Sequence, residues 1–126
     1  MALPDFKNLK IDPYRNREEI IRQVALQIEK DFNQFGLEVH FSGVSEKAYD
    51  ELFGQLCDHM NQLLDRDYHR LVLLLYQIDL SEKEIARAEV QFPDVDRAEI
   101  LSDLIIHREL KKVLIRNYFK ENPDKL

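Results

Sequence analysis

Apolar residues recur along this chain at two different periods, and one stretch has no period at all. Between positions 16 and 35, Ile20, Ile21, Val24, Ala25, Ile28, Phe32 and Phe35 return every three or four residues. On a helix they fall within an arc of roughly 140°, with only Leu26 opposite, which predicts one amphipathic helix over 16–35. Asn16, three residues before Glu19, is a variant of the capping box that opens helices. Gly36 suits the left-handed turn that closes them. The next segment, LEVHFSG, alternates Leu37, Val39 and Phe41 with Glu38, His40 and Ser42, a strand period. No second run of that quality follows to pair with it, so a short extended connection at 37–42 is expected. From 46 to 65 the helical period returns, with Ala48, Tyr49, Leu52, Phe53, Leu56, Cys57, Met60, Leu63 and Leu64 on one half of the wheel and Ser45 as a candidate N-cap.

The aperiodic stretch is LVLLLYQI, Leu71 to Ile78, seven of whose eight residues are apolar. Leucine favours helix, whereas strands favour β-branched and aromatic residues, and Asp67 stands ready as a cap. A helix over 68–79, apolar on all sides and covered from several, is the expectation, with a buried strand as the alternative. Ser81 and Glu84 form a capping box for a short helix ending near Phe92, before Pro93. Asp96 and Glu99 repeat the device ahead of a long helix over 97–120. There the apolar residues change face: Ile100, Leu101, Leu104 and Ile105 form one stripe, Ile106, Leu110 and Val113 another on the opposite side, and Leu114, Ile115, Tyr118 and Phe119 return to the first. Such a helix either threads the middle of a fold or shows one face to the core and one to another chain.

These elements add up to an all-α, bundle-like domain of about five helices over 16–122, with an extended arm at 1–15 and a frayed end at 123–126. Composition agrees. The 126 residues include three Gly and four Pro, few for an all-β chain with its many turns, and are 44% hydrophobic and 33% charged. A net charge of −6 speaks against a general nucleic-acid binder, which needs clustered Lys and Arg for phosphate. No apolar run reaches the roughly 20 residues of a membrane-spanning helix. The opening residues MALPDFKNLKIDPY lack the apolar core of a signal peptide. With Cys57 the sole cysteine, no intrachain disulfide can form, which suits a cytoplasmic protein.

Candidate chemistry is sparse. Two carboxylate–imidazole pairs stand four residues apart, Asp65 with His69 and Asp103 with His107, a spacing that sets both groups side by side on a helix. Together they could form an inter-helix metal site or a carboxylate-tuned base. Taken singly, each is a local ion pair with no third ligand at diagnostic spacing. There is no Gly-rich phosphate loop and no GxSxG elbow. Cys57 sits at the edge of an apolar stripe without a cationic neighbour, as a small core residue would. The segment LSEKEIARA, Leu80 to Ala88, resembles the first helix of a helix-turn-helix as found in sigma factors and response-regulator output domains. That resemblance implies a recognition helix next, but EVQFPDVDRAEI is acidic and carries a single Arg, so the capping box accounts for the match better. Arg108, Lys111, Lys112, Arg116 and Lys120 concentrate positive charge in the last helix. They could meet an acidic partner or an anionic lipid surface, and they also complement the helix dipole.

The expected function is therefore a protein-interaction or regulatory module that presents helical surfaces, assembled as a homodimer, with no cofactor. Contact residues would be Ile106, Leu110 and Val113 on the second face of the last helix, with Phe6, Leu9 and Ile11 of the arm. An enzyme or metal protein built on Asp65, His69, Asp103 and His107 is the first alternative, and a DNA-binding regulator using 80–100 the second.

Overall fold

The computed structural model describes residues 17–121 and shows an all-α bundle of five helices. These are α1 (Arg17–Asn33), α2 (Ala48–Arg66), α3 (Tyr68–Ile78), α4 (Glu82–Gln91) and α5 (Arg97–Glu121). The arm at 1–15, Asn16 and the contact candidates Phe6, Leu9 and Ile11 lie outside the described residues, as does the segment 123–126.

The centre of the fold is α5, which packs against all four other helices. Ile105, Ile106, Leu110 and Val113 are all buried, so both apolar faces of α5 are used inside the chain. The hydrophobic faces of α1 (Ile20, Val24, Ile28, Phe32) and α2 (Leu52, Leu56, Met60, Leu63) join them in one core. Burying side chains of this size stabilises the fold by about 1.5–3 kcal/mol each relative to exposure. The change of apolar face along α5 thus marks the helix that threads the middle. The expected interface on Ile106, Leu110 and Val113 is corrected accordingly: those side chains have no surface to offer a second chain.

The helix ends explain how the chain turns. After α1, Gly36 adopts a φ of 73°, the Leu37 N–H donates to the Phe32 carbonyl and the Gly36 N–H to that of Asn33. This is a Schellman closure, and Leu37 plugs into the core behind it. Asp79 repeats the closure after α3 with φ 67°, its N–H donating to Tyr76 and that of Leu80 to Leu75. A non-glycine residue in that region is costly, and the Asp79 carboxylate is also held by the Arg108 guanidinium at 2.8 Å. The Ser81–Glu84 capping box then opens α4 as expected. Asp67 caps α3 by accepting from the Arg70 N–H. Ser45 instead opens a 3-10 turn over Ser45–Lys47, whose carbonyl accepts the Ala48 N–H, and α2 starts with no side-chain cap.

Among the described residues there is no strand, and the segment 37–42 finds its partner in α2. Glu51, Gln55 and His59, spaced by four, satisfy its backbone. Gln55 both donates to and accepts from His40, Glu51 takes the Ser42 hydroxyl at 2.6 Å, and His59 Nε2 meets the Glu38 carbonyl. Side chains thus replace a second strand, which keeps extended backbone paired against a helix.

Candidate functional site

α3 is a helix, but it is not covered on several sides. Leu71, Leu74 and Ile78 are buried, while Tyr68, Val72 and Tyr76 remain 53%, 46% and 86% exposed. Spacing by four puts these three on one stripe. The stripe forms one wall of a cleft of about 450 Å³ between α3 and α4. Leu71, Leu80, Ile85 and Leu101 make its floor, and Ala86, a side chain too small to fill the space, makes part of the opposite wall. Asp79, Glu82, Glu89 and Arg97 supply the polar rim. The cleft exists because the αL turn at Asp79 folds α4 back beside α3 while Leu101 of α5 holds the two from below. An apolar concavity edged by carboxylates can bind. The serine in its lining, Ser81, is engaged with Glu84 in the capping box of α4.

Two polar clusters lie elsewhere, inside the packing of α5. Asp103 is buried, accepts a hydrogen bond from the Tyr49 hydroxyl, and lies 3.6 Å from His107 Nε2. Its neighbour Ser102 is spent on the Ala98 carbonyl at 2.7 Å. Burial pushes the nearby Cys57 thiol up, away from thiolate chemistry. The second cluster joins α1 to α5. Glu109 is wholly buried, and its carboxyl faces Asp31, itself buried and bonded to Gln27 at 3.1 Å. Lys112 forms an ion pair with Glu109 Oε1 at 3.1 Å. Desolvation first, then the Asp31 carboxylate, push Glu109 up to about 8. Asp31 Oδ2 is left without a donor, and a proton held by Glu109 supplies one.

Of the sequence candidates, Asp103 and His107 stand together as a pair at the edge of the core, and Asp65 and His69 lie exposed near the α2–α3 corner. Asp65 pairs loosely with Arg66 at 3.7 Å. Among the described residues no group of three or more His, Cys, Asp and Glu side chains could hold a metal ion, so the two pairs do not converge on one site. In the segment resembling a helix-turn-helix, the helix that would read bases is α5, and it buries Ala98, Ile100, Leu101, Ser102 and Asp103. Its first turns therefore present only Arg97 and Glu99. No helix among the described residues is long and apolar enough to cross a membrane. Sequence reasoning missed the cleft, because the Tyr68, Val72 and Tyr76 stripe is hidden in a run where nearly every position is apolar. It also passed over Asp31 and Glu109, which look like ordinary solvated positions on their helices. Comparison with family models, curated proteins and solved structures finds no match to this chain.

Proposed function

We propose that this protein is an interaction module whose working surface is the α3–α4 cleft, which takes an apolar helical segment of a protein partner. The observation that carries the reading is the exposed stripe of Tyr68, Val72 and Tyr76 along an apolar concavity. Large aromatic side chains at the surface are unfavourable in water and act as anchors when a partner covers them. Spacing by four on one wall, over a floor of aliphatic side chains, suits the helix-in-groove mode of recognition. No cofactor enters this function.

The test is selection of a random peptide library on the immobilised chain, with each enriched peptide re-measured on Tyr76→Asp. Peptides with apolar residues at three- and four-residue spacing should emerge and lose binding to the variant. A library yielding no peptide sensitive to Tyr76→Asp would overturn the proposal.

A further inference from the structure

We infer that the partner segment is the C-terminal half of α5 from a second copy of this chain, so that copies associate head to tail through the α3–α4 cleft; this rests on the cleft being a docking groove. Charge complementarity carries the inference. The rim carries Asp79, Glu82 and Glu89; Arg108 pairs with Asp79 at 2.8 Å and Arg97 with Glu89 at 3.7 Å, which among the described residues leaves the carboxylate of Glu82 without an opposite charge and the rim net negative. The far end of α5 has the opposite character: Lys111, Arg116 and Lys120 are exposed beside Ile115 and Tyr118, which are 44% and 45% exposed.

The shapes correspond as well. Lys111, Ile115 and Tyr118 are spaced by four and three, so they form one apolar stripe headed by a cation. That stripe runs for seven residues, roughly 10 Å of helix, the same interval that separates Glu82 from Glu89 on the groove wall. The tip cannot occupy the groove of its own chain. Leu101 in the floor and Ile115 on the tip belong to one continuous helix, roughly 21 Å apart along its axis. A two-fold pairing of groove on groove would set a net-negative rim against itself, which costs energy. A head-to-tail contact sets acid against base, and because the two surfaces differ it leaves one of each free at the ends of every assembly.

Sedimentation velocity on the full chain tests this at low and at high salt. The wild-type chain should associate with rising concentration and dissociate as salt screens the rim. Tyr76→Asp breaks the groove and Ile115→Asp breaks the tip, each alone weakening association at least roughly tenfold, as loss of a buried anchor does. Mixed one to one, they should form a dimer that grows no further, because one supplies an intact tip and the other an intact groove. A mixture that stays monomeric, or single variants that associate like wild type, would overturn the inference. A wild-type chain that is monomeric at its highest soluble concentration would also overturn it, while leaving the docking-groove reading to the peptide selection. Should either aspartate variant unfold, Glu82→Lys and Lys111→Glu decide instead. Each should weaken association alone, and the double variant should restore it; failure of that restoration counts against the contact.

Discussion

Glu109 offers the sharpest quantitative test of the packing between α1 and α5. In the folded chain its carboxyl is held up to about 8, against 4.5 for the same group in the unfolded chain. Between those values the unfolded state binds fewer protons than the folded one, so stability falls as pH rises through the window and levels off above it. Three and a half pH units at about 1.4 kcal/mol each set a ceiling on the order of 5 kcal/mol. Local relaxation admits water to the site, so a measured loss of about 3–4 kcal/mol, below that ceiling, is expected. Glu109→Gln keeps the shape of the protonated acid and can donate an amide hydrogen to Asp31, but it has no proton to lose. Urea unfolding of both proteins from about pH 5 to about pH 9 isolates the effect, because every other titrating group is common to the two. The difference in unfolding free energy should move in favour of the Gln variant by about 1 kcal/mol per pH unit up to about pH 8 and then stay constant. A difference that is flat across the range would refute the argument that these two carboxyls share a proton.

Four further outcomes follow from other sites. Gly36→Ala should cost about 1 kcal/mol, because the added Cβ meets only the end of Arg70 at 4.0 Å and the penalty is the positive φ itself. Gly54→Ala, in mid-α2 with nothing within 4 Å of the new Cβ, should instead raise stability by about 0.5–1 kcal/mol; thermal melts of the pair separate the two cases. Tyr49→Phe removes the hydroxyl that satisfies buried Asp103 and should cost about 1–3 kcal/mol in chemical denaturation, with Asp103→Asn in the same background recovering part of the loss. Tyr76→Asp should leave the melting temperature nearly unchanged, since an 86% exposed side chain contributes within about 0.5 kcal/mol, so any effect it has on binding is a surface effect.

Much of this architecture is legible in the spacing of apolar residues. The stripes on α1 and α2 place Ile20 to Phe32 and Leu52 to Leu63 in the core because one helix face determines its own burial. The two-faced pattern of α5 correctly marks a helix with neighbours on both sides, but it cannot say whether those neighbours belong to the same chain. Here α1 and α2 cover both faces, and the candidate interface on Ile106, Leu110 and Val113 became core. The run at 71–78 shows the opposite limit: helix type follows from its leucines, yet uniform hydrophobicity carries no direction, so which side would stay exposed was unreadable. The cleft and the Asp31–Glu109 contact share a reason for being missed. Both bring together residues distant in sequence, α3 with the start of α5 in one case and α1 with its latter half in the other. Polar residues within one helix give no sign of what another helix will set against them.

That α5, the hub of the bundle, follows the four helices it packs against in chain order has a consequence for biosynthesis. While α1 to α4 leave the ribosome, the side chains meant to pack on α5 have nothing to cover them, and no subset of those helices contains the middle of the core. The nascent chain is thus a folding intermediate by construction, holding its apolar faces open until residues 97–121 clear the exit tunnel. Chains stalled short of α5 would be substrates for proteases and chaperones, whereas a chain that has extruded α5 can close in one cooperative step. Commitment to the native state waits for α5.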